Sequence, residues 1–179
     1  DSDVRERRVK MWIELVDSKP PQNATYTMGC DIGTGTGASD STVSICDDAQ
    51  RRKVFEFKTH GILPEEFAEH VIAPLYRLFS TPKGVPFLSW DQGGPGIPFG
   101  AKILSLGSMQ VYYYRARDKR GAKAEKRPGL PAGGGIKAMA FERFRSALLG
   151  GYYITPSAET YDQATEYVYP AERGAAPYH

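Results

Sequence analysis

A chain of 179 residues, 41% apolar and 25% charged, suits one globular domain with a substantial core. No apolar run approaches the roughly 18 residues that a membrane span needs, and no signal peptide is visible. The two cysteines and three histidines lack the spacing of a zinc site, and Cys30 and Cys46 read as core thiols of a reducing compartment.

In chain order, Val4 to Val16 places Val9, Trp12, Ile13 and Val16 on one helical face, which predicts a helix. The stretch Asp17 to Ala24 breaks it and reads as a linker. Tyr26 to Ile32 alternates as a first core strand, Thr42 to Cys46 as a second and Lys53 to Thr59 as a third. Pro64 opens a helix with an apolar stripe of Phe67, Val71, Leu75 and Leu78, which Pro74 should kink. Val85 to Asp91 is a fourth strand, followed by a glycine turn and a short helix ending near Gly107. Met109 to Arg115 is a fifth strand, and Ile136 to Leu149 an amphipathic helix. A short strand at Gly151 to Thr155, a helical turn at Asp162 to Val168 and a mobile tail complete the reading. The expected organisation is an N-terminal helix and linker (1–24), one α/β domain (25–170) and a tail (171–179).

Three strands joined by short turns form an antiparallel meander, and helical crossovers make the next two strands parallel to the first. This order predicts the ribonuclease H-like fold, an α/β architecture with a mixed five-stranded sheet flanked by helices. Its fourth strand lies beside its first. Asp31 stands near the end of strand one and Asp91 is the last residue of strand four. Neighbouring strands are about 4.8 Å apart, so the two carboxylates could share one or two divalent cations. Each has a plainer reading as the cap of a glycine-rich turn.

The glycines after Asp31 lack the lysine of a P-loop. The segment DIGTGT resembles the first phosphate motif of sugar kinases and actin-like proteins, which need far more chain. A fuller resemblance is carried by MGCDIGTGTGASDSTVSICDD, FLSWDQGGPGIPFGAKILSLG and GGGIKAMAFERFRSALLGGYYI. In this order they resemble the C-terminal nuclease domain of the large terminase subunit, the DNA-packaging motor of tailed bacteriophages. The resemblance spans roughly Trp12 to Tyr169. It implies Asp31 and Asp91 as catalytic metal ligands, with Asp40 as an accessory residue near the site. It also implies a third carboxylate near the C-terminal end. Asp162, Glu166 and Glu172 are the candidates, none in a convincing motif, and a position beyond His179 is the stronger expectation.

Arg115 to Arg127 reads RARDKRGAKAEKR, seven basic residues against two acidic ones. Arg115, Arg117, Lys119, Arg120 and Lys123, with Lys137 on the next helix, are the candidate contacts to DNA phosphates. A solvated loop is the plainer reading. Tyr112 to Tyr114 read as strand residues rather than a stacking platform.

The expected activity is metal-dependent, largely sequence-independent cutting of double-stranded viral DNA, with Mg²⁺ or Mn²⁺, two ions about 3.5–4 Å apart. The resemblance further implies a packaging ATPase domain in the same full-length protein, with the portal and the small terminase subunit as further partners. It implies the cytoplasm of an infected bacterium and no membrane. Two alternatives stay open: another ribonuclease H-like nuclease, such as a resolvase or hybrid cutter, and a catalytically dead nucleic-acid-binding module.

Overall fold

The computed structural model describes residues 9–115, 126–131 and 133–166. The elements are β1 (Val9–Met11), β2 (Tyr26–Asp31), β3 (Ser41–Asp47), β4 (Arg52–Thr59), α1 (Pro64–Phe67), a π-helical turn (Ala68–Ile72), α2 (Ala73–Leu78), β5 (Phe87–Trp90), α3 (Gly96–Ser105), β6 (Tyr113–Arg115), β7 (Lys126–Pro128), α4 (Gly134–Leu149) and α5 (Ala158–Glu166). The chain divides into two compact units at Ala132/Gly133, inside the region expected to be one domain.

The first unit is built on a five-stranded sheet in the order β1-β4-β3-β2-β5. β2, β3 and β4 form the expected antiparallel meander, and β5 runs parallel to β2. The mixed ribonuclease H-like sheet thus stands as expected. The predicted fifth strand joins it through a single parallel bridge, Val111 beside Leu88. Its continuation leaves the sheet to form a separate two-stranded ribbon, β6 with β7.

Alternation along β2 buries Tyr26, Met28 and Cys30 and turns Thr27, Gly29 and Asp31 to the other face. The buried face packs with Val43 and Ile45, with Phe67, Ile72, Tyr76 and Phe79 from the helical segment, and with Leu88, Trp90, Phe99 and Ile103. Tyr26 meets Phe79 edge to face at 5.0 Å, and Trp90 meets Phe99 at 5.6 Å. Burying each such ring contributes about 1.5–3 kcal/mol.

Three expectations are corrected. Val9 to Met11 is an edge strand paired with Phe55 to Phe57, not part of a helix; residues 4–8 lie outside the described residues. Non-local pairing with β4 outweighs the local helical spacing. Lys10 of β1 and Lys53 of β4 both bond the Glu56 carboxylate, and the Lys10 bond ties β1 to β4. Burial alone would raise the Glu56 carboxyl, but the two ammonium groups more than offset it and hold it below its usual value. Second, the buried stripe differs from the expected one, while the helical segment continues through Pro74 as α2. The π turn just before it inserts one residue, so burial steps from Phe67 to Ile72, five residues on, and then to Tyr76 and Phe79. Val71, Leu75 and Leu78 become partly buried flanks. Third, Gly151 to Thr155 is no strand: the amides of Tyr152 and Tyr153 both donate to the Ala147 carbonyl, at 2.8 and 3.1 Å, and Gly151 (φ 70°) closes the end of α4.

The second unit contains α4 and α5. Asp162 is exposed on α5, and Phe144 and Tyr153 meet edge to face at 5.4 Å. Val168, Glu172, His179 and the predicted tail lie outside the described residues.

Candidate metal centre

The register of β2 and β5 sets Cys30 beside Trp90. The next residue on each strand is an aspartate, so Asp31 and Asp91 leave the sheet side by side on the face opposite the core. Adjacent strands are about 4.8 Å apart. Two like charges on neighbouring strands repel, and a cation between them relieves this. Carboxylate oxygens are the donors that Mg²⁺ and Mn²⁺ prefer. The residues present therefore fit a divalent cation. Among the described residues, no group of three or more His, Cys, Asp or Glu could hold a metal.

The two aspartates sit differently in their turns. The Gly93 amide donates to Asp91 Oδ1 at 2.8 Å, so this carboxylate caps its own glycine turn. α3 then starts hard against the strand end, where a Cβ on Gly96 would overlap the Asp91 carbonyl oxygen. After Asp31 the corresponding role belongs to another residue. The Gly33 amide donates to Ser41 Oγ at 3.0 Å, in a buried position. A Cβ on Gly33 would lie 2.5 Å from the Ser39 carbonyl oxygen, so the loop folds back over a glycine. Asp31 itself is exposed, and no hydrogen bond or ion pair engages its carboxylate among the described residues. The plain capping reading thus describes Asp91 in part and Asp31 not at all. The glycine loop closes on its own chain at Gly33 and Gly35.

Burial pushes the Cys30 thiol well up, and the neighbouring Asp31 charge adds to this. Cys30 is a neutral core group, with neither the thiolate needed to bind metal nor that needed to attack.

Across the sheet, Asp31 pairs with Thr42 and Thr42 with Lys58. Asp40 precedes β3 at this same edge. Its carboxylate meets Lys58 Nζ at 3.3 Å and His60 Nδ1 at 3.6 Å. Asp40 is therefore engaged by the Lys58 ammonium and the His60 imidazole at this end of the sheet. The sequence reading missed Lys58 and His60, and also Ser41. The sheet register is the signal that finds Lys58.

Beyond Asp91 runs the root of the basic ribbon. Asp91 bridges Leu130 in parallel, and Tyr114 and Arg115 face Arg127 and Lys126. Of the candidate DNA contacts, Arg115 is exposed on this ribbon and Lys137 is exposed on α4 of the second unit. Arg117, Lys119, Arg120 and Lys123 lie outside the described residues. Tyr112 packs edge to face on Phe87 at 6.0 Å, a strand role. A cleft of about 380 Å³ lies between α3 and the ribbon root, walled by Trp90, Gln92, Ile97, Leu104 and Arg127.

No protein-family model matches the sequence, and a search of curated proteins found no relative. Solved structures do match. The large terminase nuclease of thermophilic phage G20c superposes with a TM-score of 0.66 at 12% identity, over 94% of this chain and 76% of that one. Its cobalt-bound form gives 0.68 at 12% identity, over 97% and 78%. The large terminase nuclease domain of Thermus phage P74-26 gives 0.62 at 13% identity, over 93% and 77%. The resemblance first carried by three sequence motifs holds in three dimensions, and the chain has the fold of phage large-terminase nuclease domains.

Proposed function

We propose that the Asp31–Asp91 end of the sheet is the centre of a metal-dependent endonuclease acting on double-stranded DNA during genome packaging. The observation that carries this reading is the placement of two aspartates at the ends of adjacent parallel strands, with one carboxylate left unengaged. Divalent cations bound there would activate water and neutralise charge at the scissile phosphate. The cation set is Mg²⁺ or Mn²⁺, two ions with Asp31 and Asp91 as ligands. Forms of the G20c nuclease with bound zinc, cobalt and magnesium are known, which supports divalent-metal binding by this fold.

The chain's own groups do the rest. Asp91 is oriented by its turn, and Asp31 is fixed by the β2 register. Water adds to phosphorus, the bond to one bridging oxygen breaks, and the departing oxygen takes up a proton. Asp40 stands at the rim with Lys58 and His60 as an accessory group. Arg115, Arg117, Lys119, Arg120, Lys123 and Lys137 supply phosphate contacts that carry no sequence information. The natural setting is a full-length protein with a packaging ATPase domain, working with the portal and small subunit in the cytoplasm of an infected cell.

The test is Mn²⁺-dependent cleavage of plasmid DNA by the wild type and by Asp31→Asn. Loss of cutting in a folded variant is expected, and full activity would sink the assignment. A dead binding module is favoured by one observation, the lack of a three-ligand cluster among the described residues. Calorimetric titration with Mn²⁺ separates the two, because a dead site gives no specific heat. Duplex, four-way-junction and RNA–DNA hybrid substrates separate a packaging nuclease from a resolvase or hybrid cutter.

A further inference from the structure

In the β6–β7 ribbon Arg115 lies directly opposite Lys126, and both are exposed. Like charges facing each other across a ribbon are destabilising. Among the described residues, neither has a hydrogen bond or an ion pair with a carboxylate. An anion shared by both cations would relieve the repulsion.

The ribbon's root is fastened to the strand that ends in Asp91. The Leu130 amide donates to the Trp90 carbonyl at 2.6 Å, and the Gln92 amide donates to the Leu130 carbonyl at 2.7 Å. The side-chain amide of Gln92 donates to the Pro128 carbonyl and, at 3.2 Å, to that of Gly129. Gly129 has φ 83°, and a Cβ there would lie 2.8 Å from the Trp90 carbonyl oxygen, so the root closes this tightly only over a glycine. Gln92 thus follows the candidate metal ligand in sequence and holds the ribbon through its side chain. Lys126 stands three residues up the strand from Gly129, roughly 10 Å away at strand rise.

We propose that Gln92 is a positioning residue. It locks the basic ribbon to the Asp91 end of β5, so that a backbone phosphate held by Arg115 and Lys126 sits at a fixed separation from the phosphate at the carboxylates. This rests on the nuclease reading above and adds to it a second phosphate contact held at a fixed distance from the cut.

The experiment uses the 179-residue chain with Gln92→Met, a donor-free side chain of similar size, the pair Arg115→Ala/Lys126→Ala, and the triple variant. Duplex affinity is measured against salt in Ca²⁺, and kcat and KM in Mn²⁺. Removing the pair should flatten the slope of log affinity against log salt by about 1.8, two contacts at 0.9 each. It should also lower kcat about tenfold through misplacement. Gln92→Met should leave the salt slope unchanged and lower kcat by a similar factor. In that background, removing the pair should affect KM and no longer kcat. A merely structural role for Gln92 predicts additive kcat losses instead, and that result, or wild-type kcat in Gln92→Met, overturns the proposal. An unchanged salt slope on removing the pair overturns the phosphate contact. Equal cutting by folded Asp31→Asn overturns the nuclease reading and the positioning role with it, while the Ca²⁺ slope still reports on the phosphate contact.

Discussion

Two strands of this sheet end alike in sequence and differently in structure. β2 runs into Asp31 and a glycine loop, and β5 into Asp91 and a glycine turn. At β5 the aspartate caps its own turn through the Gly93 amide. At β2 the turn is held by Ser41, delivered from the start of β3, and the aspartate is left to solvent. One carboxylate is therefore pre-oriented, while its neighbour owes the fold little beyond its place in the register. A capping aspartate and a ligand aspartate look the same in sequence, and the residue that relieves one of capping duty can lie eight or more positions away.

The sharpest way to break this comparison is to neutralise each acid. Asp31→Asn and Asp91→Asn should each lower Mn²⁺-dependent kcat at least about a thousandfold, and the double variant should be no worse than either single, as for groups acting as a unit. Multiplying losses would place the two in separate sites. Asn retains an acceptor for the Gly93 amide, so both variants should melt close to wild type. Truncation to Ala should then separate them: Asp91→Ala loses the turn bond, about 1 kcal/mol, while Asp31→Ala should cost less than about 0.5 kcal/mol.

Gly96→Ala attacks the β5 end from the other side. Its methyl group would overlap the Asp91 carbonyl oxygen, so α3 must move away from the strand. The expected cost is at least about 3 kcal/mol, or a fall in Tm of about 6–12 °C. An unchanged Tm would mean that the strand end and the helix are not locked together.

Ser41→Ala makes the equivalent test at the β2 end. It removes the acceptor of a buried amide and should cost about 1–3 kcal/mol. Cutting should weaken with it, because the loop that follows Asp31 loses its tether. If stability falls and kcat does not, Asp31 is positioned by the sheet register alone.

These contrasts explain which parts of the molecule could be read from sequence. The alternation of Tyr26 to Asp31 and the order of strands and crossovers depend on local pattern and chirality, so the sheet and the adjacency of Asp31 and Asp91 were legible. The edge strand at Val9 to Met11 was not, since its partner β4 begins more than forty residues later and its spacing also fits a helix. The π turn before Pro74 was hidden for a related reason: one inserted residue rotates the buried face without changing composition. Ser41 and Gln92 carry no local signal at all. Their roles arise only when a loop or ribbon root closes onto a strand end.

Asp40 offers the smallest expected effect and the finest test of what counts as a ligand. It lies at the same edge as Asp31, but its two oxygens already meet Lys58 and His60, at 3.3 and 3.6 Å. Its side chain is one-third exposed and that of His60 more than half. Pairs this open contribute about 0–1 kcal/mol and are screened by salt. Asp40→Asn should therefore leave Tm within about 4 °C and change kcat by less than about threefold, with any effect fading as salt rises. The charge it releases on Lys58 would favour a nearby phosphate, so KM for DNA should fall slightly rather than rise. A kcat loss as deep as that of Asp31→Asn, independent of salt, would move Asp40 from the rim into the ligand set. It would also mean that the ion pair with Lys58 opens when metal and DNA are bound.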